Sequence, residues 1–438
     1  MPLKTDTYTG WGRVLNATGQ IDRPERARTL GQTIGPAIGS LRSYGDAALN
    51  SDRVSVDMTR LNRFLSFDAA TGVLEAEAGI TLSEILRVLA PKGWMPAVLP
   101  GTANATLGGA IASDVHGKNH HAAGTFGQHV ESIHLIGADG QGRDITPTGD
   151  ADLFRATVGG MGLTGLVASA RIRLAPCPSG YVELTERRIN NLSEFITAFD
   201  ATDAPFNVGW IDATATGDTM GRGVLEEAHF AASKKPYEPR LGNKNVPFNA
   251  PGFAMATPIV KAFNALYWRR IPEGGRIKAR RLDELFFPLD KMQHWNKLYG
   301  KRGFHQFQCI LPFETATDAL RDMLLAIGTA GLASPLAVLK KMGDGRAGML
   351  SFPMAGYTLA VDFPNRDAAT DLIKRLGDMT IAAKGRIYLA KDSLATADQF
   401  APMYPELDTF RSVVGQVDPD GIFETDLARR LNLRGTTA

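Results

Sequence analysis

An α+β fold divided between two domains is what this sequence predicts, and three observations predict it. The chain has 438 residues, enough for about two to four domains on length alone. Its first third is Gly-rich and alternates short strand-like runs with short helices. Pro176 and Pro178 close that stretch, and the texture changes after them, so the boundary is expected between 1–176 and 177–385.

Arg53–Asp57 and Val73–Ala78 alternate apolar and polar residues, as half-buried strands do. Thr81-Leu-Ser-Glu84 reads as a capping box that opens a helix through Leu89, which Gly93 and Pro96 end. Ser132–Ile136 and Arg143–Thr146, joined through Ala138-Asp-Gly-Gln-Gly142, read as a hairpin. Val167–Leu174 is a further strand. Ser233–Pro258 is rich in Pro, Gly, Asn and Lys and predicts a long mobile loop. Leu324–Leu339 predicts a buried helix and loop. Tyr357–Phe363 predicts a strand, Asp367–Leu376 a helix, Arg386–Ala390 a strand, and Asp418–Leu433 a turn with a terminal helix.

Composition excludes several classes. A net charge of +2 does not suggest a nucleic-acid binder. Two distant cysteines, Cys177 and Cys309, exclude a disulfide framework or a multi-cysteine cluster and fit a reducing compartment. No stretch resembles a secretory signal or reaches the roughly 20 apolar residues of a spanning helix. A cytoplasmic or membrane-peripheral location is expected. Between Lys261 and Arg302 there are 11 basic and 4 acidic residues, interleaved with Phe263, Leu266, Tyr267, Trp268, Leu285, Phe286 and Phe287. Two readings stand: a solvated helix face beside ordinary core, or a surface for anionic lipid.

Two glycine-bearing loops carry the chemistry: Gly39–Asp46 and Gly101–His121. Small residues let backbone N–H groups approach a ligand and cradle a pyrophosphate. Neither loop holds G-x-G-x-x-G. Val115–Asn119 has Ala112 and Asn119 where a P-loop needs Gly and Ser or Thr, which argues against a nucleoside-triphosphate site. His116, His120 and His121 invite a metal reading, but Gly117 interrupts the helix that would align them and no acidic residue completes the set; no metal is expected.

The paired loops resemble the FAD-binding domain, of the PCMH type, found in the vanillyl-alcohol-oxidase family of flavoproteins. More narrowly, Arg42–Asp46, His116–His121, Val361–Pro364, Ala390–Ser393, Met403–Pro405 and Ala428–Leu431 resemble the branch of that family that oxidises a polyprenyl-phosphate ribose. This resemblance implies a second domain built on a central antiparallel sheet, and a segment 386–438 that returns to the first. It also implies an FAD lined by Ala37, Ile38, Gly39, Ser40, Leu41, Arg42, Ser43, Tyr44, Gly45, Asp46, Ala47, Gly101, Thr106, Leu107, Gly108, Gly109, Ser113, Asp114, Val115 and His116, with Val167 and Tyr388 at its outer parts. Covalently flavinylated relatives often carry histidine at the position of Asp46, so non-covalent FAD is implied. Lys391 would face the flavin beside Tyr44, His116 and Lys118; Trp210, Gln306, Gln308 and Lys340 would complete the substrate wall.

The chain departs from the resemblance in three places. Ile38 and Leu41 stand where relatives tend to carry Arg and Gly. Ala360 stands where some relatives present cysteine, so thiol-directed inhibition is not expected. The middle of the chain matches least well.

Removing a hydride from an alcohol carbon requires a base for the hydroxyl proton. Lys391 is the candidate, because a lysine desolvated beside a flavin loses its proton readily; the plain alternative is a surface lysine near a turn. His116 would relay the proton or orient the ring, and Lys118 and Lys340 suit a phosphate. The first expectation is oxidation of a polyprenyl-phosphate sugar at the ribose 2′-hydroxyl, with a short-chain reductase completing an epimerisation for cell-wall arabinan. The alternatives are a flavin oxidase or dehydrogenase of a small soluble sugar, lactone or alditol, and a flavin- and lipid-binding protein without turnover.

Overall fold

The computed structural model describes residues 3–233, 235–239 and 244–435. Its first part carries two sheets. One runs in spatial order Lys4–Thr9, Asn16–Asp22, Val54–Asp57, Ala37–Ile38. The other runs Phe64–Asp68, Val73–Glu77, Leu166–Pro176, Val130–Ile136, Gly142–Ile145, with Trp94–Pro96 also pairing on Leu166–Pro176. The expected hairpin is present and antiparallel. Thr81 and Glu84 cap each other's backbone reciprocally, and the amphipathic helix Leu82–Leu89 they open buries Leu82, Ile85, Leu86 and Leu89. Gly93, at φ 86°, turns the chain after it.

From residue 181 onward the described strands, apart from one short parallel pair, join one eight-stranded antiparallel sheet. Its order is Arg276–Arg281, Tyr181–Ile189, Gly223–Phe230, Phe206–Ile211, Ala337–Met342, Gly356–Pro364, Phe304–Pro312, Arg386–Ile387. Alternation gives its central strands two different faces. Phe307, Cys309, Leu339, Leu359, Val361 and Phe363 join the core beneath the helices Phe313–Ala330 and Asp367–Ala382. The opposite face carries Gln306, Gln308, Thr358, Asp362 and Lys340: Gln306 stands opposite Asp362, Gln308 opposite Ala360, and Lys340 opposite Thr358.

Several expectations need correction. The stretch Ser233–Pro258 is not a structureless loop where it is described: Lys244–Asn245 pairs with Met292–Gln293, Tyr237 and Val246 are buried, and the helix Thr257–Arg269 begins inside it, while residues 234 and 240–243 lie outside the described residues. Farther on, Arg276–Arg281 is a strand and Leu282–Phe286 a helix, with Leu285, Phe286 and Phe287 buried. Leu324–Leu339 is helix only to Ala330, and its last residues open a strand. Arg386–Ala390 pairs only at Arg386–Ile387; Tyr388 then accepts from the amides of Lys391 and Asp392 in a turn. The loop Gly101–His121 holds a helix of its own, Leu107–Ala112, N-capped by Thr106.

Candidate active site

The two glycine-bearing loops meet. The Ser40 hydroxyl donates to the carbonyl of Asn104, and a Cβ on Gly39 would lie 2.6 Å from the Thr106 hydroxyl oxygen. Leu41 sits at φ 52°, a left-handed conformation that a γ-branched residue rarely adopts. Among the described residues, the amides of Leu41, Arg42 and Ser43 donate to no protein acceptor. Consecutive amides around a left-handed residue form a concavity suited to an anion. The Arg42 guanidinium stacks on Trp11 at 4.3 Å and leaves its Nε buried without a partner, a donor free for a phosphate oxygen. A Cβ on Gly101 would meet open space. The donor set of this cradle fits the pyrophosphate of a dinucleotide.

The other residues of the cradle have different work. Ile38, Ala47, Leu107, Val115 and Val167 turn their side chains into core, which leaves only backbone to face a ligand. Asp46 is ion-paired with Arg430, which also holds Asp392. Asp114 is buried and accepts from the amides of Gly127 and Ala347 and from the Ser351 hydroxyl, an arrangement that fixes the loop. Tyr388 donates to the carbonyl of Ser113 and stacks on Phe352 at 4.7 Å. Gly45 packs against the carbonyl of Asp392, so a side chain there would displace the segment that carries Lys391.

Opposite this cradle lies the polar face of the large sheet. The Lys391 ammonium sits 3.8 Å from the centre of the Tyr44 ring. Burial pushes Lys391 down to about 8, against the field of Asp362, which holds it up. Burial raises Asp362 to about 7, while donation from Gln306 and Tyr299 and the charge of Lys391 oppose that rise. Tyr44 is pushed well up by burial and by the same carboxylate.

His116 is held from both sides. Its Nε2 is 3.1 Å from the Gln308 amide nitrogen, which also donates to Thr358, and its Nδ1 is 3.2 Å from the Lys340 amine. Burial, then the charge of Lys340, keeps this imidazole well below its usual range, so it is neutral at neutral pH. A neutral imidazole carries one proton, so one of its two contacts must accept from it. Lys340 is lowered to about 7 by burial and by Lys118 and Lys391, which suits it to that accepting role.

Lys118 is lowered to about 8 by burial, against the pull of Glu226 at 3.9 Å. Trp210 donates to the Pro335 carbonyl and lies 4.6 Å from the Tyr267 ring. His120 and His121 do not join the constellation: His120 accepts from the Gly343 amide and His121 contacts the Ala204 carbonyl.

Lys391, His116, Tyr44, Lys118, Lys340, Gln306 and Gln308 are thus gathered between the cradle and the sheet, with Trp210 at one side. Sequence reasoning passed over Asp362, Tyr299, Thr358 and Glu226. Asp362 had a signal, a carboxylate inside the apolar strand run Tyr357–Phe363.

A family model described as an FAD binding domain matches residues 36–146, the stretch that contains both loops. The chain is 36% identical to decaprenylphosphoryl-beta-D-ribose oxidase of Mycolicibacterium smegmatis, over 99% of this chain and 98% of that protein. This chain belongs to the decaprenylphosphoryl-ribose oxidase family. It is an FAD-dependent oxidoreductase.

Another relative, an uncharacterised protein of Streptomyces coelicolor, is 31% identical over 81% of this chain and all of its own length. D-arabinono-1,4-lactone oxidase of Yarrowia lipolytica is 30% identical, but over 34% of this chain and 29% of its own. Likeness to the decaprenylphosphoryl-ribose oxidase thus extends beyond the flavin-binding loops, through the sheet that carries Lys340 and Gln308 and the turn that carries Lys391. Among the described residues no helix is long and apolar enough to cross a membrane.

Proposed function

We propose that this chain oxidises the 2′-hydroxyl of a polyprenyl-phosphate ribose to a ketone, with FAD held non-covalently. The observation that carries the proposal is the Lys391 amine, sequestered against Tyr44 at the meeting of the FAD cradle and the polar sheet face. In this reading residues 1–176 and 386–438 hold the cofactor and 177–385 form the substrate domain. The amides of Leu41–Ser43 and the Arg42 side chain take the pyrophosphate, while Ser113–His116 line the inner parts of the cofactor and Tyr388 its outer part. Bound there, the flavin supplies a hydride acceptor.

The chain's own groups do the rest. Lys391 in its neutral form takes the hydroxyl proton as the C–H bond breaks. His116, fixed between Gln308 and Lys340, orients the sugar, and Lys118 holds the phosphate as an ammonium group; the phosphate's own charge raises Lys340 back to ammonium, and the imidazole then accepts at Nδ1 and turns its one proton to the Gln308 side. Asp46 cannot form a histidyl–flavin bond, and its carboxylate is engaged by Arg430. The keto sugar would need a reductase, of the short-chain type, to complete an epimerisation for arabinan synthesis. The second reading is a soluble sugar or lactone substrate. It has the weaker support, because the lactone oxidase shares only a third of the chain.

The test is anaerobic bleaching of the flavin. A polyprenylphosphoryl-ribose should bleach it within a turnover, while free ribose, lactones and alditols should not; bleaching by the soluble sugars alone would overturn the proposal. Acid precipitation should leave the yellow colour in the supernatant, and colour in the pellet would refute non-covalent binding.

A further inference from the structure

The aromatic wall of the site continues outward along one helix. Trp210 lies 4.6 Å from Tyr267, and Tyr267 stacks on Phe263 at 5.9 Å. Ile259, Phe263 and Tyr267 follow one another at four-residue spacing on the helix Thr257–Arg269, so they share a face, and Leu266 flanks them. The helix is anchored by other residues: Val260 and Asn264 are buried, and the Asn264 amide donates to Asp212. The stripe itself opens to solvent, with Ile259 46%, Phe263 48% and Leu266 71% exposed.

We infer that this stripe, entered at Trp210, is the binding track for the isoprenoid chain of the substrate. The inference rests on the polyprenyl-phosphate reading above and names where the lipid lies. The occupant follows from what flanks the inner end. Lys340 is the diagonal neighbour of Trp210 across the Ala337–Met342 strand, about 7–8 Å away. Glu226, the partner of Lys118, lies one strand to the other side, diagonal to Trp210 in the same sense.

A phosphate between the two lysines therefore ends against the first rung of the ladder, and whatever is esterified to it runs along the rings. An anionic head with an extended apolar tail is the chemistry that uses both ends. Arg269 flanks the stripe and stays exposed, and the Arg270 guanidinium lies over the Tyr267 ring at 3.9 Å, which keeps that side compatible with an anionic head or lipid surface.

The experiment uses the full FAD-loaded chain and two exposed substitutions, Phe263→Ser and Leu266→Glu. Each is assayed with farnesylphosphoryl-ribose and with the methyl ester of ribosyl phosphate, which has no tail. The KM for the prenylated substrate should rise about tenfold with kcat unchanged, while the methyl ester is handled as before. An unchanged KM for the prenylated substrate, or an equal loss for both substrates, would overturn the track. If the unaltered chain is reduced by neither compound, the proposed activity has failed, and the track is then judged by binding. Titrated against tryptophan fluorescence, farnesyl phosphate should bind the variants about tenfold more weakly and inorganic phosphate equally. Equal affinity for farnesyl phosphate would reject the track.

Discussion

At the scale of single residues, Leu41 and Asp362 each break a local rule. Leu41 holds φ 52° in the loop assigned to the pyrophosphate, and its side chain packs on a small cluster with Ile38 and Leu49. A left-handed L-residue costs roughly 1–2 kcal/mol, which glycine escapes. Leu41→Ala should lose the packing and keep the strain, whereas Leu41→Gly loses the packing and relieves the strain. The glycine variant should therefore be about 1 kcal/mol more stable than the alanine variant, the reverse of their usual order. Urea denaturation of the two proteins decides it, and a more stable alanine variant would show the backbone is unstrained.

Asp362 is a buried carboxylate whose field holds the Lys391 amine up and pushes the Tyr44 phenol up. If neutral Lys391 is the base, flavin reduction rises with pH through its titration. Removing the carboxylate in Asp362→Asn lowers the Lys391 pKa, so the rising limb should move about one unit toward acid. The variant then gains on the parent as pH falls, which a merely misshapen site would not do. Stopped-flow reduction across pH 5–9 reads the shift, and Lys391→Met, which keeps much of the volume, should slow reduction about 100- to 10,000-fold above the lysine's titration and by progressively less as pH falls below it. A limb that stays in place in Asp362→Asn detaches that residue from the lysine. Normal reduction in Lys391→Met removes the lysine itself.

At the scale of elements, the parts that could be read locally were read well. The helix Leu82–Leu89 starts on its capping box and the hairpin closes on its glycine turn, because those signals lie within a few residues of one another. The helix Leu107–Ala112 was hidden by its two glycines, and its stability comes from the Thr106 cap and from burial of Leu107, Ala110 and Ile111. The terminal helix Asp426–Leu431 was expected, but its purpose was not visible: Arg430 reaches from it to Asp46 and Asp392, which are separated by more than three hundred residues in sequence.

Arg430 thereby ties the cradle to the turn that carries Lys391. Both carboxylates are almost fully enclosed, and breaking such a network leaves uncompensated buried charge. Arg430→Ala should cost about 3–5 kcal/mol and weaken FAD retention, whereas Arg429→Ala, on the more open pair with Glu424 and Asp426, should cost about 1 kcal/mol or less. Thermal melts and flavin release on dilution measure both. Equal losses for the two variants would mean that Arg430 is not a tie.

At the scale of the whole molecule, the α+β class, the glycine loops and Lys391 were legible, while the polar sheet face was not. That face is assembled from strands drawn from residues 206 to 364, Phe206–Ile211, Phe304–Pro312, Ala337–Met342 and Gly356–Pro364, and no local pattern records their neighbours. Net charge overstated the number of free cations in the middle segment for the same reason. Arg270, Arg276 and Lys278 converge on buried Glu186, Arg280 pairs with Glu226, Arg281 with Asp283, Lys291 with Glu284, and Arg302 with Asp367. Among the described residues Lys261, Arg269 and Lys301 make none of these ion pairs and remain for an external partner, while Lys297 donates to the Pro247 carbonyl.

Phe248, Phe253, Ile259, Phe263 and Leu266 are exposed on the same stretch, so contact with a bilayer would be shared between a few charges and an apolar face. Each free cation adds about 1 kcal/mol near an anionic surface, and that part fades as salt rises while the apolar part persists. Co-sedimentation with phosphatidylglycerol–phosphatidylcholine vesicles should therefore fall, without vanishing, between 50 and 500 mM salt, and pure phosphatidylcholine should retain less protein at low salt. Leu266→Glu should weaken binding at every salt concentration, because it removes the salt-independent component. Failure to pellet with the anionic vesicles even at low salt would leave the exposed stripe without a bilayer to meet.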